Sequence, residues 1–253
     1  LQFERKTEFR KLCDVTRIHL QQIVKYNQNT LSINLGDPAS IDLQLEVRLG
    51  QLDLAISMEL WNEAFKTMED IHFLLRLTKK APHPKILAIF YQKISLVFSK
   101  ANVPLFHAIA LQKLFILIKE HKKGFKPEEM TKVSSRVLAA TISVPLTSNQ
   151  TEIDALLLRF NENWSNPLQL AAILGLGSIP TRNAIVEEMI KISILQYADP
   201  TIVNIFNAIH GYAHYKNLCQ YVNDELANIP SFLIDDMSPY LDSIRKVAFC
   251  TLL

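Results

Sequence analysis

The residues whose types and spacing could support chemistry form a few short groups, and the histidines come first. His210 and His214 are four residues apart, the spacing at which two imidazoles on one helical turn can bind the same metal ion. Gly211 and the nearby helix end disturb that geometry, and no glutamate completes a hydrolytic motif. Surface histidines at a turn are the favoured interpretation, so no metal site is predicted.

A glycine pair and a cysteine are also weak candidates. The glycines in Leu174-Gly175-Leu176-Gly177 lack the third glycine of a dinucleotide-binding loop and follow a helical pattern, so we interpret them as a turn between helices and predict no cofactor. Basic neighbours of Cys13 could lower the pKa of its thiol. Its nearest downstream histidine, His19, is six residues away, and we interpret Cys13 as a small buried apolar residue.

The pair Asp235-Asp236 is the remaining candidate for catalysis. No second acidic motif accompanies it, and helix capping or loop solvation before Pro239 explains it. The alternative is an all-helical enzyme that uses both carboxylates in a deep apolar cavity. The sequence therefore predicts a non-enzyme with no catalytic, cofactor-binding, metal-binding or small-molecule site, and this alternative class stays open.

Lysines are distributed unevenly along the chain. Residues 1–126 contain 19 Lys/Arg and 12 Asp/Glu, whereas residues 127–253 contain 8 and 13. Within residues 76–126 there are 11 basic residues and a single acid, Glu120. Seven lysines lie at or beside the loops 79–85 and 121–127, and we call them the basic rim. They are Lys79, Lys80, Lys85, Lys119, Lys122, Lys123 and Lys126.

The basic rim has two interpretations that the sequence leaves open. Lysine is the commonest loop solubiliser, and that use alone explains its presence. In a stack of helical hairpins, loops separated by two helices emerge at one edge, so the rim could also meet RNA phosphates or an acidic partner. No aromatic and glycine signature of base recognition accompanies it, so the predicted contact reads charge rather than sequence.

The elements that must position these residues are predicted to be helices. Of 253 residues, 49% are hydrophobic and only 6 are glycine, while 11 prolines punctuate the chain. Three distant cysteines suit a reducing compartment, so a cytoplasmic location is expected. No run of uncharged apolar residues is long enough for a membrane span, and the charged opening stretch is not typical of a signal peptide. The chain begins without Met, and we expect a fragment of a longer protein.

Apolar residues recur at helical spacing. Leu45 to Leu60 form one stripe and Trp61 to Leu75 another, which predicts a helical hairpin turned near residues 60–62, capped by Ser40 and filled by Trp61 and Phe65. Pro84, Pro104 and Pro127 each precede a helical pattern. The predicted helices cover residues 2–28, 41–60, 62–78, 84–100, 104–121, 127–142, 152–163, 167–175, 181–197, 200–210, 214–227 and 238–253.

The spacing of these helices indicates a repeat. Ser40 to Pro84 is 44 positions and Pro84 to Pro127 is 43, which is typical of two-helix solenoid units. Helices become shorter after residues 121–127, so we predict helical repeats over residues 1–120 and a second helical subdomain over residues 121–253. The predicted fold is all-α, a right-handed superhelix of TPR/HEAT-like hairpins that leads into that subdomain.

Two long segments, residues 3–14 and 52–72, resemble one known family. Shorter stretches agree with the same family in the same order, namely residues 136–141, 174–176, 180–182 and 195–197. The resemblance is to the family of the largest, or A, subunit of eukaryotic translation initiation factor 3, in the proteasome–signalosome–initiation-factor (PCI) class.

The resemblance implies a function as well as a fold. It implies TPR-like hairpins followed by the helical part of a PCI domain, with the winged helix and charged tail of the family outside these residues. It also implies a non-catalytic scaffold that assembles with sister subunits, notably the C subunit, and sits on the small ribosomal subunit and mRNA during initiation. A PCI scaffold of the proteasome lid or COP9 signalosome remains the alternative, with the same fold and different partners.

Overall fold

A computed structural model describes most of this chain, namely residues 5–26, 35, 37–77, 82–121, 126–146, 167–211 and 217–252. Within these ranges every regular element is helical, with twelve α-helices and two short 3₁₀ turns, so the predicted all-α class is confirmed. The α-helices are α1 (Lys6–Lys25), α2 (Pro38–Ser57), α3 (Trp61–Leu77), α4 (Pro84–Lys100), α5 (Pro104–Glu120), α6 (Pro127–Ile142), α7 (Pro167–Ile173), α8 (Arg182–Lys191), α9 (Pro200–His210), α10 (Leu218–Ala227), α11 (Ile234–Met237) and α12 (Leu241–Cys250). The 3₁₀ turns are Ile194–Gln196 and Ser231–Leu233.

The N-terminal half is built from helical hairpins with tight turns. Helix α2 ends with Glu59 in the left-handed region at φ 56°, and the Leu60 N–H donates to the Ala55 carbonyl at 2.8 Å. The α4–α5 turn repeats this cap with Asn102 at φ 56° and a bond from the Val103 N–H to the carbonyl of Phe98. In each turn the next residue, Leu60 or Val103, is buried, which fixes the direction of the following helix. The predicted turn near residues 60–62 is confirmed.

Proline fixes the start of six helices. Its locked φ and missing N–H are tolerated in the first helical turn, because a backbone N–H there has no intrahelical acceptor. The prolines at these starts are Pro38, Pro84, Pro104, Pro127, Pro167 and Pro200. The predicted roles of Pro84, Pro104 and Pro127 are therefore confirmed.

Several predicted helix boundaries are wrong by three or more residues, and two of them have a clear structural reason. The cap of α2 is Asp37, whose carboxylate accepts from the Ser40 N–H at 3.3 Å, so the helix starts three residues earlier than predicted. The helix predicted over 181–197 is split after Lys191, because Ser193 adopts a left-handed φ of 59°. This reversal directs Ile194 into the core, where it is fully buried. The helix predicted over 152–163 lies outside the described residues.

Two hydrophobic clusters meet along α5. The N-terminal cluster joins α1 to α4 with the first half of α5, and α7 returns to pack on it. The C-terminal cluster joins the second half of α5 with α6 and the helices from α8 onward. Phe106 belongs to the first cluster and Phe115 to the second, and both are fully buried. The division at residues 120 and 121 stays a prediction, and α5 is the element common to both cores.

The hairpin core contains most of the side chains that the helical stripes indicate. Phe65 is buried and its ring centroid lies 6.2 Å from that of Phe98 on α4. Trp61, at the exposed start of α3, is half-buried. Among the described residues, no helix combines the length and the hydropathy that crossing a bilayer would require.

Candidate interaction surfaces

Part of the basic rim lies at one end of the helix stack. Helices α4 and α5 form an antiparallel hairpin, so the start of α4, the end of α5 and the start of α6 share this end. Lys85 is in the first turn of α4, and Lys126 immediately precedes α6, where its N–H donates to the Glu129 carboxylate at 3.4 Å. Both lysine side chains are exposed. These two exposed ammonium groups belong to the edge that the sequence predicts, and the edge itself stays a prediction.

Lys119 has an internal role. Its Nζ donates to the Ile192 carbonyl at 2.7 Å and lies 5.7 Å from the ring centroid of Tyr197. The side chain thus holds the end of α5 against the turn after α8. The other four rim lysines, at positions 79, 80, 122 and 123, lie outside the described residues, so the rim as a whole stays a prediction.

A network of charged side chains attaches α1 to the α2–α3 hairpin. Arg17 Nε donates to Asp70 Oδ2 at 3.0 Å, and the guanidinium of Arg48 lies 3.7 Å from the same carboxylate. Arg48 is 1% exposed and donates to the Thr16 carbonyl and to Gln51 Oε1, both at 2.8 Å. Burial lowers the pKa of Arg48, but an arginine stays protonated at neutral pH. Sequence reasoning missed this network, although Arg48 interrupts an otherwise apolar stripe between Leu45 and Leu49.

Cys13 is buried on the inner face of α1, as the sequence predicts. Burial raises the pKa of its thiol, and the Glu63 carboxylate acts in the same direction. These two effects outweigh the lowering of the thiol pKa by the basic neighbours of Cys13. A thiol with a raised pKa carries little thiolate at neutral pH and is a poor nucleophile.

A relay of hydrogen bonds connects α4, α5, α6 and the residues before α12. His107 Nδ1 lies 2.7 Å from the Ser95 carbonyl, and His107 Nε2 lies 2.7 Å from Tyr240 Oη. Because a carbonyl can only accept, Nδ1 holds the proton and Nε2 accepts from the tyrosine hydroxyl. Arg136 Nε donates to the same hydroxyl at 3.4 Å. The relay joins the two hydrophobic clusters through buried polar groups, and no sequence pattern revealed it.

The remaining candidates for chemistry do not assemble into a site. His210 is half-buried, stacks on Phe206 and contacts the Phe206 carbonyl through Nδ1. His214, the other histidine of the pair, lies outside the described residues. No metal-binding group of histidine, cysteine and carboxylate side chains occurs in the described ranges. Gly175 is the left-handed residue of a helix-terminal turn at φ 72°, as predicted.

The two carboxylates of the enzyme alternative follow each other on one short helix. Asp235 is exposed and Asp236 half-buried, both on the short helix α11. A groove of about 370 Å³ lies between α1 and α3, lined by Leu20, Val24 and Phe73 among others. Asp70 is the one carboxylate in its lining, and it is paired with Arg17. This groove does not provide converging ionisable groups for catalysis.

Several large apolar side chains face solvent on the N-terminal helices. On α1 these are Leu12, Val15 and Ile18, and on α2 they are Leu43 and Val47. Each of the five is at least 47% exposed. Exposed apolar side chains grouped on helix faces are typical of surfaces that bind other proteins.

Comparison with known proteins gives one family. A family model described as "eIF3a, PCI domain, TPR-like region" matches residues 1–229. The A subunit of eukaryotic translation initiation factor 3 from Mus musculus is 44% identical over 226 residues, which cover 89% of this chain and 17% of the relative. Its counterpart from Aedes aegypti is 40% identical over 256 residues, which cover 100% of this chain and 22% of the relative. The Nematostella vectensis counterpart is 39% identical over 253 residues, which cover 100% of this chain and 26% of the relative. The chain thus spans about a quarter or less of the length of these relatives.

Proposed function

The chain belongs to the eIF3a family, matching its PCI, TPR-like region, and on that premise we propose that it acts as a non-catalytic scaffold in eukaryotic translation initiation factor 3. It assembles with sister subunits, notably the C subunit, and takes part in association with the small ribosomal subunit and mRNA in the cytoplasm. The observation behind this proposal is the family match over residues 1–229 at about 40% identity to named subunits.

The packing of the helices supports a scaffold. Apolar stripes fill two clusters that share α5, so the interior is occupied by side chains. Stacked hairpins present long outer faces, and such faces suit simultaneous contact with several proteins. Helix α1 is attached by the charged network around Asp70, which keeps its outer apolar residues exposed for a partner.

The basic rim supports a contact with ribosomal RNA. Lys85 and Lys126 are exposed at one end of the stack, and the loop lysines beside them in the sequence add four further positive charges. Lysines bind phosphates as point charges and need no base-specific geometry. We propose that this end of the molecule faces RNA phosphates in the small ribosomal subunit.

Copurification tests the proposed function. The full-length protein, tagged and expressed from its own locus, is expected to purify with the other subunits of initiation factor 3 and with small-subunit ribosomal proteins. Recovery of proteasome-lid or signalosome subunits in place of these would favour the alternative PCI assembly. Recovery of the protein alone, with a catalytic activity that depends on Asp235 and Asp236, would favour the enzyme.

A further inference from the structure

The segment between α10 and α12, residues 229–240, forms a strap that crosses α6. Its inward side chains are held firmly, because Leu233 is fully buried, Met237 is 1% exposed and Tyr240 is 5% exposed. The Tyr240 hydroxyl is fixed in addition by His107 and Arg136. The strap therefore has a defined position, and its outward side chains are displayed in fixed places.

Two large apolar side chains of the strap point outward. Phe232 is 46% exposed and Ile234 is 49% exposed, on either side of the buried Leu233. The ammonium group of Lys132 on α6 lies 6.0 Å from the centroid of the Phe232 ring and covers one side of it. A protein that presents apolar side chains to solvent on a rigid backbone can bind a partner with little loss of conformational entropy.

The surroundings of this apolar pair are acidic. Residues 217–244 contain five Asp/Glu and neither Lys nor Arg. Asp235 and Asp236 directly follow Ile234 in the sequence, and they are the carboxylates next to the apolar pair. Of the other three, Asp242 is paired with Arg245 and Glu225 accepts from Asn204.

Helix α6 adds charge on the same side of the strap. Glu128 and Glu129 precede Lys132 by one helical turn and lie on its face of α6, and both are exposed. Arg136, one turn further along α6, donates to Tyr240 of the strap. The two glutamates therefore balance the two cations of α6, and the net negative charge beside Phe232 comes from Asp235 and Asp236.

We propose that the strap and the adjacent face of α6 bind a basic amphipathic helix of a partner protein in the complex. An apolar pair beside a carboxylate pair is complementary to a helix whose apolar stripe is flanked by lysine or arginine. Phe232 and Ile234 contact the apolar stripe, while Asp235 and Asp236 face the cations. This inference goes beyond the scaffold function and rests on it only in requiring that the chain has partners.

Photo-cross-linking in living cells tests this surface in the full-length protein. The photoreactive residue p-benzoyl-phenylalanine is placed at position 232, and, as a control, at position 190 on α8, where Ile190 is similarly exposed. Cells are irradiated before lysis, and the cross-linked peptides are identified by mass spectrometry. The expected result is a cross-link from position 232, absent from position 190, to a Lys/Arg-rich amphipathic segment of another protein.

A charge reversal supplies the second measurement. Asp235→Lys with Asp236→Lys is expected to lower the cross-linking yield at position 232 about tenfold, because the cations of the partner then meet like charges. The matched control, Glu187→Lys with Glu188→Lys on α8, makes the same change of charge at two adjacent exposed residues elsewhere and should leave the yield unchanged. Thermal unfolding confirms that both variants are folded.

Other outcomes would overturn the inference. Cross-links from position 232 only to RNA, to an acidic segment or to this chain itself would assign the surface another occupant, and no cross-link would leave it without a partner. An unchanged cross-linking yield after charge reversal would show that Asp235 and Asp236 do not contribute to binding the partner. Because cross-linking precedes purification, these results stand whichever complex the protein joins, so failure here is distinct from failure of the scaffold function.

Discussion

Among the individual residues, His107 determines how the two hydrophobic clusters are joined. Its ring receives a hydrogen bond from Tyr240 and donates one to Ser95, an arrangement that requires the neutral imidazole. Burial lowers the pKa of His107 to about 4, against the opposing effect of the bond to the Ser95 carbonyl. Protonation would place a second hydrogen on the ring, at Nε2, and remove the acceptor for the tyrosine hydroxyl.

This geometry predicts a loss of stability in mild acid. The unfolded chain binds a proton at His107 near pH 6.5, whereas the folded chain binds it only near pH 4. The stabilisation is thus complete above pH 6.5 and is lost as the pH falls towards 4, by on the order of 2–3 kcal/mol. Urea unfolding of the wild type and of His107→Gln at several pH values measures this contribution.

Glutamine at position 107 can still donate to Ser95 and accept from Tyr240 without titrating. Between pH 6.5 and 4 the wild type should therefore lose on the order of 2–3 kcal/mol of unfolding free energy relative to His107→Gln. His210, whose pKa burial also lowers to about 4, contributes equally to both proteins and cancels in the difference. A difference that is constant across this range would show that His107 does not titrate as described.

Asp70 is the second residue that we expect to have a large effect on the free energy of unfolding. It pairs with both Arg17 and Arg48, and the latter is almost completely buried. Asp70→Asn leaves these guanidinium groups without that anion, and we expect a loss of about 2–4 kcal/mol in the free energy of unfolding. The control is Asp53→Asn, which removes an exposed pair with Lys93 and should cost about 0.5 kcal/mol or less. Equal effects of the two substitutions, measured by chemical denaturation, would refute the special role of Asp70.

Among the helices, two C-terminal ends have the same turn geometry but use different residues. Gly175 after α7 and Asn102 after α4 both adopt a left-handed φ, and in each turn the following N–H bonds back to the carbonyl five residues earlier. Glycine accepts this conformation without strain, whereas a residue with a Cβ does not. Among the described residues, three of the four left-handed positions are occupied by residues other than glycine, namely Glu59, Asn102 and Ser193.

This shared geometry predicts opposite effects at the two turns. Asn102→Gly should raise the free energy of unfolding by about 0.5–1 kcal/mol because it relieves the left-handed strain. Gly175→Ala should lower it by about 1 kcal/mol, since a Cβ there meets no atom within 4 Å and only the backbone is strained. Thermal unfolding of the two variants checks both signs, and a destabilising Asn102→Gly would argue against the shared design.

The sequence predicted the elements better than it predicted their polar contacts. Proline starts and apolar stripes depend on neighbours along the chain, so α2 to α6 were recognisable from local pattern. The break at Ser193 was not, because it depends on Ile194 reaching a core formed by distant helices. The relay from His107 to Tyr240 spans 133 positions, and the pairing of Arg17 with Asp70 spans 53. Such contacts exist only once the stack has formed, and no local spacing encodes them.

Over the molecule as a whole, the charged residues are distributed unevenly. The basic rim belongs to a half of the sequence with an excess of Lys/Arg, whereas the C-terminal half contains more Asp/Glu than Lys/Arg. Lys119 is anchored on the Ile192 carbonyl, so the described rim residues available to RNA are Lys85 and Lys126. The candidate sites thus follow from the sequence only in part: the excess of lysine was visible, but the internal role of Lys119 was not.

The rim predicts a specific salt dependence of binding. Lys85→Gln with Lys126→Gln should weaken association of the complex with the small ribosomal subunit and reduce the slope of log affinity against log salt by about 1.5, because two phosphate contacts are lost. Lys100→Gln with Lys246→Gln removes two exposed lysines elsewhere and serves as the control. Sedimentation binding at several salt concentrations gives the slopes. Identical slopes for both pairs and the wild type would exclude this rim.

Cross-linking mass spectrometry of the purified native complex is the decisive test of the scaffold function, since it identifies the neighbours of each lysine. We predict links from exposed lysines of this chain, including Lys85 and Lys126, to subunits of initiation factor 3 and to small-subunit ribosomal proteins. Links confined to this chain, or to proteasome-lid or signalosome subunits, would contradict it.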